Sequence, residues 1–159
     1  MNDNGPQNNH SLSRYQAQRL QDLISEIVDC CQEKTLFQAR KFNLTQAELK
    51  CLLLFKEERY LTVKGLAQKL DVAKSRITKI IDGLVQKKLV QRVNDPGDAR
   101  VTLIGLTLEG QRQMAAAAKY LEDLHHQLLQ ELKETDRKNV LTSLETLRSS
   151  MEVVKSKMI

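Results

Sequence analysis

The sequence predicts a mainly α-helical protein with a small β-hairpin, and three observations carry that prediction. Over most of the 159 residues, apolar side chains recur at intervals of three and four, the pattern of amphipathic helices. Six Gly, two Pro, three Tyr, three Phe and no Trp disfavour a sandwich or barrel. Only two neighbouring stretches, 89–94 and 100–105, change to a β-favouring pattern. With 41% apolar and 28% charged residues, the chain fits one globular domain or one domain with helical extensions. Wholesale disorder and collagen-like repetition are excluded.

Residues 1–10 are polar, contain Gly-Pro and read as a disordered tail. They have neither the basic region nor the apolar stretch of a secretory signal. Across 11–41, Leu20, Leu23, Ile24, Ile27 and Cys31 form a stripe, which predicts one long amphipathic helix. Leu44-Thr-Gln-Ala-Glu-Leu49 is a helix start: Thr45 caps, Glu48 closes a capping box and Leu44 staples onto Leu49. The short helix that follows runs to about residue 55. Its apolar run 52–55, like every other in the chain, is far short of the ~18 residues a membrane span needs.

Thr62 begins the next helix, which passes through Leu66 and Ala67 to about Leu70. Asp71-Val72 breaks it, and Asp tolerates the left-handed conformation such a turn requires. A helix over about 73–87 follows, with Ile77, Ile80, Ile81 and Leu84 on one side. Lys74, Ser75, Thr78, Lys79 and Asp82 lie on the other, and Arg76 sits at the boundary. The two β runs are joined across Asp95-Pro-Gly-Asp-Ala99, where Pro-Gly predicts a type II turn. Thr107 caps a second long helix with the stripe Met114, Ala118, Leu121, Leu124, Leu128 and Leu132. Thr135 is read as the cap of a final helix bearing Val140, Leu144, Leu147, Met151, Val154 and Met158, close to a heptad seam.

Two helices joined by a short turn and followed by a hairpin form a winged helix-turn-helix. Shared packing of Val72, Ile77 and Ile80 leaves the start of the second helix projecting, with Lys74, Ser75, Arg76, Thr78 and Lys79 and no acid among them. Cations and hydroxyls at an exposed helix start suit a major groove lined by phosphates. Thr62, at another helix N-terminus, suits a phosphate contact. Charge agrees. Residues 56–100 hold eleven basic and six acidic side chains, whereas both flanks are balanced, so the whole net charge of +5 lies in this segment. The alternative is an amphipathic helical hairpin with a solvated charged face.

Three cysteines, an odd and clustered set, give no disulfide framework, and a reduced, cytoplasmic protein is expected. Cys30 and Cys31 adjoin the first stripe between Asp29 and Glu33; packing is the favoured role and thiol-based redox sensing the alternative. Cys51 reads as core. His10, His125 and His126 lack the spacing of metal ligands, and no nucleophile–base set or phosphate-cradling Gly loop occurs. Neither catalysis nor a cofactor is expected.

Phe42-Asn-Leu-Thr-Gln-Ala-Glu-Leu49, Thr62-Val-Lys-Gly-Leu-Ala-Gln-Lys-Leu-Asp-Val72, Ser75-Arg-Ile-Thr-Lys-Ile-Ile-Asp-Gly-Leu84, Lys88-Leu-Val-Gln-Arg92, Asp98-Ala-Arg100 and Leu106-Thr-Leu-Glu-Gly110 resemble the MarR-type transcriptional regulators. The Asp-x-Arg wing followed by Leu-Thr-x-x-Gly is the most specific part. The resemblance implies that the terminal helices form a dimerisation domain and that Arg100 is the wing arginine of a minor-groove contact. It also implies that Asp98 orients Arg100 or Arg76. The middle residue of the wing motif is Ala99 where the family often has a second arginine.

The chain therefore divides into a tail (1–10), an N-terminal dimerisation helix (11–41), a winged-helix DNA-binding lobe (42–106) and C-terminal dimerisation helices (107–159). The expected protein is a homodimer on a pseudo-palindromic duplex DNA operator. Thr62, Lys74, Ser75, Arg76, Thr78, Lys79, Asp98 and Arg100 are its expected DNA-binding set. Repression relieved by a small effector, such as an aromatic or phenolic compound bound between the dimerisation helices and the DNA-binding lobe, is what the resemblance implies. An architectural DNA binder with little sequence preference and a winged helix used for protein contacts are the other readings.

Overall fold

The computed structural model describes residues 7–98 and 100–158; the first six residues of the expected tail and Ala99 of the wing lie outside the described residues. The chain forms two compact units, Met1–Ala115 and Ala116–Ile159. No helix among the described residues is long and apolar enough to cross a membrane.

In the first unit, helix α1 spans Gln7–Lys41, so it starts four residues before the sequence reading placed it. Gln38 and Ala39, near its C-terminal end, are buried. Its stripe is present, with Ile24 half-buried and Leu20, Leu23 and Ile27 exposed, Ile27 at 53%. Cys30 and Cys31 are exposed in the single chain, so the packing expected of them is not made within it; Cys51 is buried as expected. The helix ends at Asn43, whose φ of 54° lets Leu44 N–H donate back to the Ala39 carbonyl at 2.9 Å.

Helix α2, Gln46–Leu53, begins as its sequence dictates. Thr45 Oγ1 accepts from Glu48 N–H at 3.1 Å, and Glu48 Oε2 accepts from Thr45 N–H at 2.7 Å. A 3₁₀ turn, Leu54–Lys56, follows. Strand β1, Tyr60–Thr62, was not anticipated, because three residues are too short to show a period. Thr62 ends it and caps α3, Val63–Leu70, by accepting from Gly65 N–H at 3.0 Å. Asp71 takes the left-handed conformation, φ 51° and ψ 52°, and turns the chain into α4, Lys74–Gln86.

Strands β2, Val90–Asn94, and β3, Thr102–Leu106, form the expected hairpin, with β1 added on the far side in the antiparallel order β1-β3-β2. The turn is not type II, because no described glycine has positive φ. Asp95 Oδ1 instead accepts from Gly97 N–H at 2.7 Å and Asp98 N–H at 3.3 Å, an Asx turn that competes with the Pro-Gly preference. Leu49, Leu52, Leu66, Ile77, Ile81, Leu84 and Ile104 are fully buried and form the core beneath the helix-turn-helix.

Helix α5, Leu108–Glu131, opens in this unit. Thr107 Oγ1 accepts from Gly110 N–H at 3.0 Å and donates to the Lys88 carbonyl at 2.6 Å. The cap thus also ties α5 to the start of the hairpin.

The second unit holds the rest of α5 and α6, Glu134–Ser156. Arg137 Nε closes the turn between them by donating to the Leu129 carbonyl at 2.8 Å and, more weakly, to that of Leu132 at 3.2 Å. Lys133, not Thr135, occupies the cap position. Glu134 and Asp136 in the first turn complement the helix dipole, so the start does not depend on a hydroxyl. No residue of α6 is buried; Leu144 is 47% exposed and Met151 51%.

Candidate nucleic-acid interface

Helix α4 presents its polar side because its other side is fixed in the core: Ile77, Ile80, Ile81 and Leu84 are all buried. Lys74, Ser75, Arg76, Thr78 and Lys79 are exposed, as the amphipathic pattern requires. The helix has no side-chain cap at Ala73, so a side chain does not occupy its first-turn amides. Thr78 Oγ1 donates to the Lys74 carbonyl at 2.9 Å, which leaves that hydroxyl as an acceptor.

A concavity of about 1030 Å³ lies among α3, the start of α4 and the outer part of the hairpin. It brings together four expected residues, Thr62, Lys74, Thr78 and Arg100. Lys64, Gln68, Arg92 and Thr102, which sequence reasoning did not single out, join them there. The strand alternation that carries Arg92 and Thr102 was legible, but the side of the hairpin facing α4 was not. Ser75, Arg76 and Lys79 are exposed on α4 outside this concavity.

Asp98 does not pair with a guanidinium among the described residues. Its Oδ1 accepts from Arg100 N–H at 3.0 Å, fixing the backbone from which the Arg100 side chain projects. The ion pair that spans the interface is Arg92 Nη2 to Asp82 Oδ1, at 2.6 Å, between β2 and α4.

Beneath α4, Lys87 Nζ reaches both Glu48 Oε2 at 2.7 Å and the Asn43 carbonyl at 2.9 Å. Gly83 faces the Glu48 carboxylate so closely that a Cβ there would overlap Glu48 Oε1. Burial alone would raise the Glu48 pKa. The Lys87 hydrogen bond and charge and the Thr45 amide outweigh it and hold the carboxyl below its ordinary range. Desolvation pushes the Cys51 thiol up to about 12, so it is an inert core residue. No cluster of three or more His, Cys, Asp or Glu suited to a metal ion occurs among the described residues.

The profile of the MarR family matches residues 44–102. The HTH-type transcriptional repressor MdtR of Bacillus subtilis is 34% identical over 91 residues, which are 57% of this chain and 56% of MdtR. The match thus spans little more than half of that relative. MepR, a transcription regulator of the Staphylococcus aureus multidrug efflux pump MepA, superposes with a TM-score of 0.72 at 22% identity, over 81% of this chain and 96% of MepR. The MepR–DNA complex superposes with a TM-score of 0.63 at 23% identity, over 84% of this chain and 98% of that one.

Proposed function

Because the MarR family profile matches residues 44–102, we propose that this chain is a MarR-family transcriptional regulator: a sequence-specific, homodimeric DNA-binding repressor, not an enzyme, acting in the cytoplasm. One observation carries the reading: the segment holding the whole net positive charge folds so that Lys64, Lys74, Arg92 and Arg100 line one concave face beside an exposed helix start. MdtR is named a repressor, and MepR has been solved with DNA; both fit this role.

In this reading α4 enters the major groove with Lys74, Ser75, Arg76, Thr78 and Lys79. Arg100, held by Asp98, reaches the minor groove, and the start of α3 at Thr62 meets a phosphate. A second copy covers the exposed apolar faces of α1 and α6 and sets two recognition helices about one DNA turn apart, ~34 Å, on a pseudo-palindromic site. A small aromatic or phenolic effector relieves repression by favouring a spacing that does not fit the operator, a coupling of ~1–3 kcal/mol.

The test is selection of duplexes from a random library by the purified protein, followed by titration at several salt concentrations. A repressor should prefer the selected site ~10³-fold or more over random DNA. A smaller ratio favours an architectural binder. Exposure of Cys30 and Cys31 supports a second reading, thiol-controlled release of DNA. It requires peroxide to release DNA from the wild type and not from the Cys30→Ser/Cys31→Ser variant.

A further inference from the structure

The hairpin changes character along its length. On the face of β2 that carries Val90, Arg92 and Asn94, the β3 partners are Leu106, Ile104 and Thr102. Val90 and Ile104 are buried, whereas Arg92, Asn94 and Thr102 are exposed. Apolar packing of the sheet therefore thins at the level of Arg92, and in the segment beyond it, which carries Arg100, half-buried Val101 is the apolar residue that lines the concavity beside α3 and α4. At this boundary Arg92 reaches Asp82 of α4 at 2.6 Å. Among the described residues, this is the ion pair that joins the outer hairpin to the helix.

Asp82 is otherwise misplaced. It is the one acid of α4, half-exposed on the side that bears Lys74, Thr78 and Lys79. A carboxylate there repels phosphates, and a half-exposed ion pair adds little to global stability. Charge alone therefore predicts that removing it tightens DNA binding.

We infer that Asp82 is a positioning residue. Through Arg92 it holds the wing at the angle to α4 that lets α4 and Arg100 engage one duplex together. The inference rests on the DNA-binding reading above.

The experiment titrates a duplex selected by the wild-type protein with wild type, Asp82→Asn and the charge swap Asp82→Arg/Arg92→Asp, each with and without Arg100→Ala. Hydroxyl-radical footprints and unfolding midpoints accompany each titration. In the wild type, Arg100→Ala should weaken binding about tenfold. Asp82→Asn should weaken it about fivefold despite removing a negative charge, and Arg100→Ala should then cost nothing more, as expected of coupled sites. The Asp82→Asn footprint should lose its flanking minor-groove protection and keep its centre, with an unchanged unfolding midpoint. The charge swap should restore sensitivity to Arg100→Ala. Asp82→Asn binding as tightly as wild type or tighter, with the full Arg100 penalty intact, overturns the inference. A wild-type protein that enriches no duplex and shows no salt-dependent DNA binding overturns the DNA-binding reading itself, and this role with it.

Discussion

Gly110 sits where the backbones of two elements touch: a Cβ at that position would overlap the Leu89 carbonyl oxygen. That carbonyl also accepts from Thr107 N–H at 3.0 Å, so it cannot move aside without breaking the link that seats α5. Gly110→Ala is expected to destabilise the protein by about 2 kcal/mol, read as a lower urea midpoint. Lys88, next to this contact, has a φ of 59°. Lys88→Gly should relieve that conformation and stabilise by up to ~1 kcal/mol in the same assay. Glu48 gives the pH dependence. Its folded pKa is depressed, so its stabilisation is present above the unfolded carboxyl value and is lost as pH falls through the folded one. Glu48→Gln should be less stable at pH 7 and should flatten the acid limb of a stability–pH profile. At this scale the sequence was unevenly legible. Asp71 in a turn and the Thr45–Glu48 box could be read from neighbouring residues. Lys88 could not, since nothing in Lys-Lys announces a left-handed residue. Lys87 reaching Glu48 across 39 positions is a product of the fold alone.

Elements were legible where a period or a cap repeats a local signal. Helices α3 and α4, the turn between them and both hairpin strands follow from patterns within about a dozen residues, because the helix–coil and pleat periods are local properties. Strand β1 exists because β3 offers it hydrogen-bonding partners, Tyr60 opposite Gly105 and Thr62 opposite Leu103, and no local signal encodes that. The Pro-Gly turn failed for a related reason: the Asp95 side chain supplied a competing set of hydrogen bonds. Of the candidate interface, the α4 residues could be read from amphipathicity. Lys64, Gln68 and Arg92 could not, because their place depends on how α3 and the hairpin flank α4. One prediction belongs at this scale. Replacing Arg76 and Lys79 on α4 with Ala should lower DNA affinity and flatten the salt dependence by ~0.9 in log–log slope for each phosphate no longer neutralised. A wild-type slope in the double variant would place those two side chains off the DNA.

At the scale of the whole molecule, the sequence showed apolar stripes on its three long helices, and on two of them stripe residues are exposed: Leu20 and Ile27 on α1, Leu144 and Met151 on α6. What covers them was not legible, because a stripe records the need for a partner and not its identity. If a second copy is the cover, sedimentation should show a dimer. Asp at Leu141 and Leu144 should then shift the protein toward monomer and weaken operator binding.

Helix α1 reaches about 50 Å, and among its described residues the buried ones, Gln38 and Ala39, lie close to its C-terminal end. An isolated helix of that kind has little to hold it in water. Under the dimeric reading, a newly made chain keeps this rod uncovered until it meets a second one, and proteases act on such unpaired surfaces first. The lifetime of the protein then depends on its own copy number. A pulse-chase at graded expression should find the half-life lengthening with abundance, a property set by one bare helix and not by any residue that touches DNA.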